Sequence, residues 1–237
     1  MRTGIRSLFV PRPLVLLAAT AVALAPGARA AGEAPADAVH YRAPAVDPAP
    51  RRIGGVARAL LAGVPRVEVL APDHLGLTLS EQPTLHWFLS APTGARIELV
   101  LIDPRRSSPL VEAHVAGDRA GIQSFDSGRA GVRLEPNVQY EWSVAVVLDP
   151  EQRSRDVVAG GAIMRVAPSD ALHDLLRETD PGRRAGALAA EGLWYDALAT
   201  LSAGVAARPG DRGLRAVRAA LLEQAGLAEV AAFDRAE

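Results

Sequence analysis

The side chains best suited to metal binding or proton transfer are five histidines, His40, His74, His86, His114 and His173. No two of them stand two to four residues apart, so the local spacing on which zinc sites are built is missing. The serines Ser80, Ser90, Ser107, Ser108, Ser124 and Ser143 all lack the Gly-x-Ser-x-Gly elbow of a hydrolase nucleophile. One densely charged stretch is Asp149-Pro150-Glu151-Gln152-Arg153-Ser154-Arg155-Asp156. Three carboxylates in one loop suit calcium, which accepts clustered oxygen ligands. The two arginines would repel that cation and neutralise the acids, and the spacing is not that of an EF-hand. A salt-bridged hairpin loop is therefore the favoured reading, with Asp149, Arg153 and Asp156 as candidate interaction residues. The aromatic pair Trp194-Tyr195 is the other candidate. On a helix the two point about 100° apart, which predicts Trp194 in the core and Tyr195 partly at the surface, with a hot spot for a protein partner as the sharper alternative.

Composition removes whole classes of chemistry. The chain has no cysteine, so disulfides, thiolate catalysis and thiolate metal sites are excluded. All 26 basic residues are arginine, which excludes lysine Schiff bases, a lysine general base and a Walker-type phosphate loop. A formal charge of −1 and the lack of a basic patch argue against nucleic acid as a partner. No cofactor is implied.

The elements that would position these residues change character along the chain. Residues 1–30 carry Arg2, Arg6 and Arg12, an apolar run from Pro13 to Ala25, and Ala28-Arg29-Ala30. Basic, apolar and small-residue segments in that order read as a secretory signal cleaved after Ala30. Its apolar run is too short for a membrane span of about twenty residues. The expected location is the periplasm, with no membrane-spanning segment after cleavage. Residues 31–62, rich in Ala, Pro and Arg, read as a tether. Arg51, Arg52, Gly54, Gly55 and Arg58 near its end read as a solvated lead-in, with an anion or wall-polymer contact as the sharper alternative.

Residues 63–168 read as a β-sandwich. Short runs at Val67 to Leu70, Leu75 to Leu79, Leu85 to Leu89, Ile97 to Leu101, Leu110 to Val115, Gly121 to Phe125, Tyr140 to Val146 and Ala162 to Val166 alternate with turn residues. Trp87 and Trp142 fall on inward positions, as core tryptophans of immunoglobulin-like or fibronectin-like sandwiches do. His86 and Phe88 fall on the opposite parity and read as surface residues. Residues 169–237 read as a small helical bundle. Ser169 and Asp170 would cap a helix carrying Leu172, Leu175 and Leu176. Ala185 to Ala189, Leu193 to Leu201, Leu214 to Leu222 and Leu227 to Phe233 give the later stripes, with Gly192, Pro209-Gly210 and Gly226 as stops. The pair from Arg184 to Ala207 resembles a tetratricopeptide unit.

Three blocks together resemble the domain-of-unknown-function family numbered 928, a family of exported bacterial proteins. They are Leu75 to Thr84 with Trp87, Tyr140-Glu141-Trp142 running to the Asp149–Asp156 loop, and Gly192 to Leu201. Gly54-Gly55 with Arg58 also fits, and the chain departs near Ala162, before Arg165, where the family pattern has an aromatic. The resemblance implies an exported protein and transfers no catalytic residue. The expected fold is all-β plus α, a sandwich followed by a tetratricopeptide-like bundle. The expected role is a non-catalytic envelope adaptor with a protein partner. The alternatives are a sandwich that binds a glycan, wall polymer or metal, using Phe88 as its exposed aromatic, and a hydrolase built from dispersed side chains.

Overall fold

The structure is a computed structural model that describes residues 1, 39–45, 52–54, 64–168, 172 and 177–237. The expected signal segment, Arg51, Gly55, Arg58 and all but Leu172 of the helix expected from Ser169 to Leu176 lie outside the described residues. In chain order the strands are β1 (Val67–Val69), β2 (Gly76–Thr78), β3 (Thr84–Leu89), β4 (Arg96–Ile102), β5 (Val111–Val115), β6 (Gly121–Asp126), β7 (Gln139–Val147) and β8 (Val157–Arg165). They form two sheets, three strands in the order β1-β3-β6 and five in the order β2-β8-β7-β4-β5. Every pairing is antiparallel except that of β2 with β8.

Alternation sets the inner face of the larger sheet. Trp142, Val144 and Val146 of β7 lie opposite Leu101, Leu99 and Ile97 of β4, and all six are buried in one core. Side chains of period two point to one side of a strand, so this match fixes the register. β8 starts at Val157, five residues before the expected Ala162. Gly160 and Gly161 disguise its first half, because glycine has low strand propensity. Gly161 is there for space, since a Cβ on it would lie 2.6 Å from the Cβ of Ala71.

Among the described residues four helices follow: α1 (Pro181–Ala190), α2 (Trp194–Ala207), α3 (Arg212–Gln224) and α4 (Ala228–Ala236). Asp180 caps α1 by accepting from the Arg183 amide, and Asp211 caps α3 by accepting from Leu214. The two helix pairs close through the same turn 34 residues apart. Gly192 and Gly226 sit at φ +77° and +73°, and Leu193 and Leu227 donate to Leu188 and Leu222 respectively. Glycine is needed there because the left-handed region disfavours side chains.

The helices cover the outer face of the three-stranded sheet, and this corrects the reading of β3. Its alternation is as expected, but Phe88 meets Phe233 of α4 edge-on at 5.1 Å, and His86 is 4% exposed. Neither is a surface residue, so Phe88 offers no platform for a ligand. Parts of the stretch read as a tether are also docked. Arg42 donates to Ala189 at the end of α1, Gln224 of α3 brackets Tyr41 and Val39, and Val39 is buried. Arg52 donates from Nη1 to the carbonyls of Ala71 and Ala225, while Ile53 exchanges both backbone bonds with Gly160. Among the described residues no helix is long and apolar enough to cross a membrane.

Candidate functional site

Three consecutive side chains at the start of α2 join the helices to the sheets. The Trp194 indole donates to the Leu70 carbonyl at the end of β1 (2.8 Å). The Tyr195 hydroxyl donates to the Ala162 carbonyl of β8 (3.0 Å) and accepts from the Trp142 indole (2.9 Å). Asp196 Oδ2 accepts from the Leu79 amide just past β2 (3.0 Å). Successive helical residues fan out by about 100° each, so one turn reaches three separate strands. Tyr195 is 2% exposed and Trp194 is fully buried. The expectation of a surface Tyr195 is therefore corrected. The start of α2 is inserted rather than laid on a surface, so both sides of the pair are covered. Burial holds the Tyr195 hydroxyl protonated far above the ordinary range. The same applies to Tyr41, which stacks on His74 and meets Trp194 edge-on.

The Asp149–Asp156 loop joins β7 to β8 and folds onto the outer face of the larger sheet. Arg153 Nε donates to Asp156 Oδ2 at 2.7 Å, and its Nη2 reaches Glu98 of β4 at 2.5 Å. Arg96 flanks Glu98 from the other side. These partners pull the Glu98 carboxyl below its usual range, led by the bond from Arg153. The loop acids do not converge. Asp149 accepts from the Glu151 amide, Glu151 is exposed, and Asp156 is buried against Arg153. No group of three His, Asp or Glu side chains able to hold a metal is found among the described residues.

Beside this loop the same face is apolar. Ile53, Ile102 and Val158 are 63%, 37% and 40% exposed, and they line one concavity of about 250 Å³ with Glu141, Ser143 and Gly160. Apart from Met1 they are the exposed large hydrophobic residues of the described chain. Gly160 makes the floor, where a Cβ would lie 3.9 Å from the Cβ of Ile53. The sequence reading missed this place. Ile102 and Val158 lie on the outward parity of their strands, which is the signal that could have found them, but Ile53 comes from outside the strand pattern.

A family model described as Domain of Unknown Function (DUF928) matches residues 53–234. The chain belongs to this family. No curated protein matches it. In this DUF928 chain the three stretches that carry the resemblance meet at one point. Trp142 of the second and Asp196 and Tyr195 of the third close on Leu79 and Gly76 of the first. Packing and hydrogen bonds to backbone and to one another are what hold Trp142, Tyr195 and Asp196 there.

Proposed function

We propose that the protein is a non-catalytic module of the cell envelope, working in the periplasm, that holds another exported protein on the outer face of its five-stranded sheet. The observation that carries this reading is the convergence of Ile53, Ile102 and Val158 on one concavity. Clustered apolar residues rimmed by polar ones mark interaction sites more often than chance. The occupant is an extended segment with a bulky apolar residue beside a basic one. The apolar residue fills the concavity and the basic one faces Glu141, which is exposed at the rim without an ion pair among the described residues. The aromatic pair Trp194-Tyr195 has no part in this interface.

The finer fold reading belongs with this proposal. An immunoglobulin-like sandwich is supported by the strand orders and by the parallel pairing of β2 with β8. It is also supported by Tyr140, at the start of β7, whose hydroxyl accepts from the Glu135 amide five residues upstream at 2.9 Å. That contact matches the tyrosine corner of such domains, and Trp142 takes the place of the cysteine two residues on. The 34-residue offset of the helix pairs supports the tetratricopeptide-like reading.

The test is a photo-reactive cross-linker at Ile102 of the full chain in its native envelope, compared with one at Arg129, which is also exposed. The expected result is one protein captured at Ile102 alone, at a basic-apolar segment, and lost in Val158→Arg without a fall in melting temperature. The same products from both positions, or capture indifferent to Val158→Arg, would overturn the reading. Glycan or wall fragments in place of protein would favour the ligand-binding alternative.

A further inference from the structure

A second concavity, of about 220 Å³, lies between the β2–β3 turn and the helices α1 and α2. The turn contributes Thr78, Ser80, Gln82 and Thr84, and the helices contribute Arg184, Asp196 and Thr200. Its size, below the roughly 300 Å³ at the lower end of drug-sized pockets, admits only a small molecule. Its polar groups are unevenly satisfied. Asp196 accepts from the Leu79 amide and the Thr78 hydroxyl, and Thr200 donates to the Asp196 carbonyl. Ser80 Oγ accepts from the Gln82 amide and keeps its own proton to donate. The Gln82 side-chain amide and the half-buried Arg184 guanidinium make no hydrogen bond among the described residues, and Arg184 Nε is sealed from solvent.

The sealed Nε is costly, because a buried donor without an acceptor loses its water and gains nothing in return. A planar guanidinium matches a carboxylate or a phosphate as a two-pronged acceptor. Asp196 chooses between them. Burial pushes its carboxyl above the usual range and Arg184 draws it back, and the negative charge it carries repels a dianion more than a monoanion. The surrounding hydroxyls and amide suit hydroxyl groups on the ligand. We infer that this pocket binds a small hydroxylated carboxylate, such as a hydroxy acid or a sugar acid, with Arg184 on its carboxylate and Ser80, Gln82 and Thr200 on its hydroxyls. The site lies between the turn and the helices, and it does not depend on the sheet-face reading.

Calorimetric titration of the intact protein tests this, with D-glycerate, D-gluconate and D-galacturonate as probes and D-galactose and inorganic phosphate as comparators. At least one of the three acids is expected to bind saturably. Galactose is expected to bind about tenfold more weakly or worse, as the loss of one charge-assisted contact dictates, and phosphate more weakly than the acids because of the repulsion from Asp196. Arg184→Gln should remove that binding while the protein still unfolds cooperatively, since it loses no hydrogen bond among the described residues and only a charge attraction to Asp196. Ser80→Ala should weaken the hydroxylated acids and leave acetate unaffected. No saturable binding by any acid, phosphate binding tighter than all three, or binding unchanged in Arg184→Gln would overturn the inference.

Discussion

The ring of Tyr195 rests so close to Gly76 that a Cβ on residue 76 would sit 2.5 Å from Cε2. The ring cannot withdraw, because its hydroxyl is held between the Trp142 indole and the Ala162 carbonyl. Gly76→Ala is therefore expected to destabilise the fold by about 1–3 kcal/mol, the usual range for overpacking. In a Tyr195→Ala background the same change should cost only a few tenths of that. A double-mutant cycle by denaturant unfolding reads the coupling, and additive losses would show that the ring is not the obstacle.

His86 makes stability depend on pH. Burial under the helices, helped by the nearby charge of Arg218, pushes its imidazole from 6.5 down to about 4. Between those values the unfolded chain holds a proton that the folded chain refuses. The contribution is complete above about pH 6.5 and is lost as pH falls toward 4, up to about 3 kcal/mol in all. His86→Phe should flatten that slope in unfolding curves taken from pH 7 to pH 4.5. An unchanged slope would move the effect to other groups.

The helical layer holds a buried ion pair. Arg218 Nε and Nη2 reach the two oxygens of Asp234, with side chains 6% and 1% exposed. Asp234→Ala should cost about 3–5 kcal/mol, since it strands a buried charge. The double change Arg218→Met with Asp234→Leu should recover most of that loss, and thermal melts of the three variants check the order.

Calcium should leave the melting temperature of the intact protein where it is, because Arg153 already occupies Glu98 and Asp156. Arg153→Gln should lower it, since Glu98 then keeps Arg96 alone as an ion-pair partner among the described residues. A calcium-dependent rise in the native chain would restore the metal reading of the loop.

Much of the strand layout was legible because alternation is local. Leu85, Trp87 and Leu89, or Tyr140, Trp142 and Val144, declare their inner face without reference to anything distant. Parity cannot say whether the other face is also covered, and so His86 and Phe88 were misread. Trp194 and Tyr195 failed for a related reason: the angle between them is fixed by the helix, but the depth to which that helix end is inserted is not. The two concavities were invisible. Ile53 meets Val158, and Ser80 meets Arg184, across separations of about a hundred residues that carry no sequence pattern. Arg184 in particular reads as one more arginine in a chain that has 26 basic residues, every one an arginine.

The Trp194 bond to Leu70 and the Asp196 bond to Leu79 bridge 124 and 117 positions. Synthesis delivers the sheets long before the helices, and contacts of such high separation form late. A chain halted before Gly192 would therefore keep β1 and β2 with their trailing backbone uncapped, and His86 and Phe88 uncovered. Unfinished copies carry a visible mark of being unfinished, one that proteases and chaperones can read, and the last fifth of the chain erases it.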